Sequence, residues 1–222
     1  MKLSMRIQKT FLMCMIVLIG FSTYLQAQAL NEIESQRVTL PNGWKLTPVG
    51  KLLPLGDFPL NIVVSPSKKL AAITNNGESD QTIQLLDIEK EVILDSIIIG
   101  KSWLGLTFSG DGKYLYASGG NDNIIIRYAI NNNRLSVFDS IRIGKPWPAK
   151  ISVAGLALND KKNRLYVVTK DNNSLYVIDT QSKKVISQHP LGGEGYTCLL
   201  SPDLKLLYIS CWGGSKIVLF DT

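Results

Sequence analysis

Histidine is almost missing from this chain: His189 is the single one in 222 residues. That count excludes a histidine-built metal centre, and it leaves a Ser-His-Asp site one place for its base. No nucleophile or acid stands near His189 in sequence, so it reads as an edge residue before Pro190. Cysteine is scarce too, at three. Cys14 lies in an apolar run without the small residues that precede a lipidated cysteine, which argues against a lipoprotein. Cys198 and Cys211 lack metal-ligand spacing. A tight turn over 201–205 puts Cys198 opposite Ile209 and makes Cys211 a diagonal neighbour, about 7–8 Å away. That exceeds the usual Cα span of a disulfide. Two half-buried thiols are expected, even in the oxidising compartment beyond the cytoplasm.

No block of one charge stands out. The formal balance is 24 basic against 18 acidic residues. Lys2, Arg6 and Lys9 lie in the first 29 residues, which hold no acid; without them 21 basic residues face 18 acidic ones. Downstream there are only pairs such as Lys68-Lys69 and Lys183-Lys184, whereas nucleic-acid binding calls for a concentrated basic stripe. A long hydrophobic run is also absent. Residues 11–21 are apolar but fall short of the about 20 residues that a membrane span needs. The basic start, the short apolar stretch and Ala27-Gln28-Ala29 read as an export signal over residues 1–29; an uncleaved anchor is the alternative. The expected location is periplasmic or extracellular, with no membrane attachment after cleavage. Residues 30–37 are polar and read as a tether, leaving about 190 residues after the signal, enough for a substantial core.

What the chain does have is a repeat. Residues 165–180, LYVVTKDNNSLYVIDT, read as a strand, a polar turn from Lys170 to Asn173, and a second strand. The same shape returns at 207–222, at 115–130 and, two residues longer, at 71–88. Gly56, Gly100, Gly144 and Gly192 each end a strand. Ser65-Pro66-Ser67, Ser109-Gly110-Asp111-Gly112, Asn159-Asp160-Lys161 and Ser201-Pro202-Asp203 each make a turn. Glycine and turn are nine residues apart in three copies and fifteen in the third, so six residues are inserted around 146–152. Each copy holds four short runs rich in β-branched and aromatic residues; in the second these are 104–109, 114–118, 124–128 and 135–143. Helical periodicity is absent outside the signal. A period of 42 to 50 residues with four strands per unit predicts an all-β protein, a β-propeller of four-stranded blades. The ring over 38–222 is expected to be incomplete. Three full blades cover about 57–100, 101–144 and 145–192, with partial blades at 193–222 and 38–56. In the last of these, residues 51–55 take a fourth-strand position. The expectation is therefore an N-terminal part of a longer protein, or self-association to close the ring.

The second strand of each copy begins Ala72-Ile73-Thr74-Asn75, Tyr116-Ala117-Ser118-Gly119, Tyr166-Val167-Val168-Thr169 or Tyr208-Ile209-Ser210-Cys211. With the serine-led turn before it and Asp-Thr after the third strand, this resembles the YVTN (YncE-like) β-propeller repeat over residues 56–222. Leu40-Pro41-Asn42-Gly43-Trp44, Pro54-Leu55-Gly56-Asp57 and Ile99-Gly100-Lys101-Ser102-Trp103 resemble a narrower group. In it, the N-terminal propeller of secreted bacterial proteins is joined to a phosphoesterase of the alkaline-phosphatase superfamily. The resemblance implies a metal-dependent hydrolase domain beyond Thr222.

No catalytic residue, metal ligand or cofactor emerges from the residues themselves. Asp87, Asp179 and Asp221 recur at one blade position and are expected to cap turns. The Asn- and Asp-rich turns match no calcium loop. The candidate ligand face is built by the links between blades, which carry Phe58, Trp103, Trp147 and Tyr196, with Lys101 and Lys145 just before two of them. The loops after the second strands, including the one with Trp212, share this face, as does Glu194. Rings beside lysines can stack a sugar, a base or another planar ligand; the same rings can instead pack between blades. Two readings stay open: an exported binding or scaffold module for a small molecule, glycan or protein, or the front part of a phosphoesterase. A propeller lactonase and a single-stranded DNA binder are further alternatives.

Overall fold

The computed structural model describes residues 34–35, 37–46 and 50–222. The export signal over 1–29 lies outside the described residues, as does most of the tether. The chain divides into two units, Met1–Leu53 and Pro54–Thr222. In the first, β1 (Val38–Thr39) and β2 (Lys45–Leu46) pair antiparallel. The hairpin turns at Gly43, whose φ of +81° favours glycine.

The second unit is an all-β propeller of four consecutive antiparallel sheets. The first is β3 (Pro59–Val64), β4 (Leu70–Asn75), β5 (Thr82–Asp87) and β6 (Val92–Ile98). The second is β7 (Leu106–Phe108), β8 (Tyr114–Ser118), β9 (Ile124–Asn131) and β10 (Arg134–Arg142). The third is β11 (Val153–Asn159), β12 (Arg164–Thr169), β13 (Ser174–Asp179) and β14 (Lys184–Pro190). The fourth holds β15 (Glu194–Leu200), β16 (Leu206–Trp212) and β17 (Lys216–Asp221). Every strand in these sheets pairs with its neighbour in sequence, the up-and-down order of a blade. Residues 51–55, expected as a fourth strand, form no paired strand. Pro54 has no N–H to give to a ladder, which weakens that stretch as a strand.

Local chemistry sets the turns. Ser65, Ser109 and Ser201 each accept a bond at Oγ from the backbone N–H five residues on, at 3.1, 2.9 and 3.0 Å. The Ser109 and Ser201 hydroxyls donate in turn to Asp111 and Asp203 at 2.6 Å. The recurring aspartates cap the next turn, with Asp87 accepting from Lys90 N at 2.9 Å and Asp179 from Ser182 N at 2.8 Å. These N–H donors hold both carboxyls below the usual aspartate range. In all three complete blades the pairing between third and fourth strands carries a bulge, which adds twist toward the outer edge.

The core lies between sheets, in three layers. Ala72, Ile83 and Leu85 of the first sheet meet Leu106, Phe108 and Leu115 of the second. Tyr116 and Ile125 meet Leu156, Leu165 and Val167. Tyr166, Leu175 and Val177 meet Cys198, Leu207 and Ile209. Nearest the axis, equivalent positions of the first strands touch the next blade directly. Asn61 Nδ2 donates to Leu104 O at 2.5 Å. A Cβ on Gly155 would lie 2.7 Å from Thr197 Cα, and one on Gly105 would strike Ala154 O. Further out, Arg127 is held by Asp139, which Lys183 in the turn between β13 and β14 reaches at 2.7 Å.

Cys198 pairs with Ile209 in register, as the turn argument requires, and both Cys198 and Cys211 are free. They are buried, not half-buried, because both face the third sheet. Burial pushes the Cys198 thiol up to about 12.

Two outcomes follow from the packing. Gly155→Ala overpacks the axial contact and is expected to cost about 1–3 kcal/mol of unfolding free energy in urea titrations; an unchanged midpoint contradicts the close approach. Alkylation at pH 8 followed by peptide mass mapping is expected to leave Cys198 unmodified in the native protein and to label it fully in guanidinium, since the thiolate is the reacting form. Stoichiometric native labelling contradicts its burial.

Candidate functional site

The links between sheets and the loops after the second strands gather on one face. A cavity of about 230 Å³ opens there, lined by Asn76 and Gln81 of the first sheet, Lys101 to Trp103 of the link, Gly120, Asn121, Ser152 and Lys170. Backbone and side-chain bonds fix the walls. Ser102 N donates to Gln81 Oε1 at 2.6 Å, and Ser152 Oγ donates to Asn121 Oδ1 at 2.7 Å. Lys170 N donates to Ser152 O at 2.9 Å. The inserted residues of the third copy are tied down by Asn123. Its Nδ2 donates to Lys145 O at 2.6 Å and Ala149 O at 2.8 Å, and its Oδ1 accepts from Ser152 N at 2.8 Å.

Both lysines of the cavity are charge-balanced at its rim. Lys101 Nζ lies 3.0 Å from Asp122, and Lys170 Nζ lies 3.7 Å from Glu194. Lys170 Nζ also stands 5.5 Å from the centre of the Trp103 ring, a cation–π distance. Against this balance, six buried polar atoms lack a partner among the described residues, and three of them belong to cavity residues: Trp103 Nε1 and both amide atoms of Asn76. Such groups are costly, at about 1–3 kcal/mol each. Two donors and one acceptor thus sit unbonded on two residues that line one cavity.

The structure divides the candidate residues. Lys101 and Trp103 line the cavity. Tyr196 and Trp212 form a separate edge-to-face pair on the fourth sheet, with ring centres 5.5 Å apart. Trp147 is exposed on the inserted segment beside exposed Lys145, and neither lines the cavity; Phe58 is exposed as well. The six residues therefore make no single constellation. The six-residue insertion carries Lys145 and Trp147 out of the position that Lys101 and Trp103 occupy in the second copy. Trp103 and Tyr196 are half-buried, whereas Phe58, Trp147 and Trp212 are exposed. Sequence reasoning missed Asn76 and Lys170, both read as hairpin-turn residues; the signal for Lys170 was its place on the same face as Trp103. His189 bonds Ser187 Oγ at 2.9 Å and packs on Phe220, which makes it structural. Among the described residues, no group of three or more His, Cys, Asp or Glu is placed to hold a metal ion. No described helix is long and apolar enough to cross a membrane.

No family model matches the chain. Antigen Lp49 of Leptospira interrogans serogroup Icterohaemorrhagiae serovar copenhageni (strain Fiocruz L1-130) is 33% identical over 120 residues, which is 49% of this chain and 24% of that protein. The chain thus spans about a quarter of this curated relative's length. Among solved structures, a functionally unknown protein from Desulfotomaculum acetoxidans DSM 771 superposes with a TM-score of 0.62 at 15% identity, over 73% of this chain and 51% of that one. The β-propeller domain of Myceliophteria thermophila Cps50 (Swd1) gives 0.56 at 16%, over 74% and 51%. The Pseudomonas aeruginosa periplasmic gluconolactonase PpgL gives 0.56 at 17%, over 73% and 49%. At these identities the likeness is one of fold: the chain is a β-propeller that spans about half of each of these solved chains.

Proposed function

We propose that this chain is an exported β-propeller binding module that holds a small, uncharged, hydroxyl-rich ligand, such as a hexose, in the cavity between Asn76 and Trp103. The observation that carries the reading is that Asn76 and Trp103 both line the cavity and both carry buried polar atoms with no partner among the described residues. A pair of neighbouring sugar hydroxyls supplies what is missing: acceptors for Trp103 Nε1–H and Asn76 Nδ2–H, and a donor for Asn76 Oδ1. The carboxylates beside Lys101 and Lys170 disfavour an anion, because the lysine charges are already matched. Trp103 offers ring surface, and a few polar groups in a concave site fix orientation.

The serine-led turns and the Asp caps support membership of the YVTN (YncE-like) repeat family, which we propose on that pattern. The phosphoesterase resemblance enters only as an attribute of a longer protein. The described propeller residues are assigned binding, not hydrolysis. Export rests on the leader-like residues 1–29.

Asn76→Leu removes two buried unpaired atoms, so the ligand-free protein is expected to gain about 1–2 kcal/mol in urea unfolding. In thermal-shift titrations with glucose, galactose, mannose and N-acetylglucosamine, at least one sugar is expected to stabilise the native chain. The same sugar should leave Asn76→Leu and Trp103→Ala unmoved. Failure of every neutral sugar, or equal shifts in wild type and both variants, overturns the reading. Export is checked by N-terminal mass mapping of the protein recovered from the periplasm: a start at Leu30 is expected, and retention of residues 1–29 in a soluble cytoplasmic product contradicts it.

A further inference from the structure

The largest departure from the repeat is the insertion between β10 and β11. It is built as a closed loop. Asn123 is fully buried, and its Nδ2 donates to Lys145 O at 2.6 Å and to Ala149 O at 2.8 Å. One nitrogen thus gathers the two feet of the loop, and Trp147, midway between them, is its apex. The base is tightened by Ala149 N donating to Pro146 O and Ile151 N to Ala149 O, both at 3.2 Å. Gly144 lies against the Ile151 side chain, which brings the ends of the loop together.

What this loop holds out is aromatic and basic. Trp147 is 53% exposed, between exposed Pro146 and Pro148. Arg142, Lys145 and Lys150 are exposed, and residues 140–152 contain no acid. None of the three cations enters an ion pair of the described residues. The acids around the loop do not match them. Asp139 is engaged by Arg127 and Lys183, and Asp122 by Lys101. Asp171 meets the loop through its backbone, its N–H donating to Ile151 O at 3.1 Å. An indole kept in water on a fastened loop, with unmatched cations at both feet, suits an anionic ligand that has a flat apolar face. A loop preorganised in this way loses little freedom on binding.

The number of charges narrows the ligand. Basic clusters that dock on anionic lipid hold about four to eight Lys and Arg, and nucleic-acid sites show a concentrated basic stripe. Three cations around one ring fall short of both. A chain of acidic sugars asks for less, because its carboxylates are spaced one to a unit and the C–H face of a sugar ring packs on an indole. We propose that the 144–151 loop is a binding site for an acidic polysaccharide. Trp147 stacks on one uronic-acid ring, and Lys145, Lys150 and Arg142 meet the carboxylates of that unit and its neighbours. The site is separate from the Asn76 and Trp103 cavity, since none of these four residues lines it, and either reading can fail without the other.

The test is biolayer interferometry on immobilised polygalacturonate, with dextran as the neutral control. Wild type is expected to bind polygalacturonate and not dextran. Trp147→Ala and the pair Lys145→Gln/Lys150→Gln are each expected to weaken binding about tenfold or more, while Trp147→Phe keeps most of it. These positions are exposed, so circular dichroism is expected to show native strand content in every variant. Trp103→Ala, and Lys68→Gln/Lys69→Gln in the turn between β3 and β4, are expected to bind as wild type does. Absence of wild-type binding overturns the proposal. So does an equal loss in Lys68→Gln/Lys69→Gln, which makes the attraction one of overall charge. Tighter binding to phosphatidylglycerol vesicles or single-stranded DNA than to polygalacturonate, at the same ionic strength, also overturns it and gives the loop to that partner.

Discussion

A sheet that is apolar on both faces has to be covered on both, and this single requirement shapes the molecule. In β12, Leu165 and Val167 point to one side and Tyr166 and Val168 to the other, and all four are buried. No single blade can satisfy that demand with its own residues; stacked neighbours can. Stacking in turn requires close approach near the axis, where strands converge. There the chain places glycine twice, at Gly105 and Gly155, and at the equivalent first-sheet position the Asn61 side chain bonds across the gap. The larger side chains lie further out, where the diverging sheets leave room for Tyr128 and Tyr166.

The loop-face cavity follows from the same stack. Links between sheets must cross from an outer strand to the next inner one, and in doing so they bring residues of three sheets together. Trp103 comes from one link, Asn76 from the loop before it and Lys170 from the loop after the second strand of the third sheet. The walls are well bonded, down to the Asn123 side chain that fastens the inserted segment with three hydrogen bonds. Of the six buried polar atoms without a partner among the described residues, three belong to Asn76 and Trp103, which line this cavity.

Much of the fold was legible. Strand β8 occupies the residues expected of it, the serine-led turns bond as their composition demands, and Cys198 lies opposite Ile209. Each of these is a local matter, set by alternation, turn chemistry or register over a few residues. Residues 51–55 misled because an apolar run resembles a strand whether or not a partner edge is there to bond it. The site was half legible. Aromatic rings at a repeated position are visible in sequence, and Trp103 with Lys101 was found in that way. Which of the repeated rings shares a cavity depends on how far an insertion displaces its link, and Trp147 shows the effect.

By itself, then, the amino-acid sequence determined the strands, their order within a blade, the turns that join them and the repeat that makes the blades equivalent. Those features depend on neighbours within one repeat, where period and side-chain chemistry suffice. The tertiary structure alone decided which equivalent residues are covered and which are not: Tyr166 and Tyr208 are the same letter at the same place, one buried and one exposed. It also decided that Lys170 stands over Trp103, and that Asn76 faces the same cavity across the link. These are contacts between repeats, set by the stacking of whole sheets, and no local pattern encodes them.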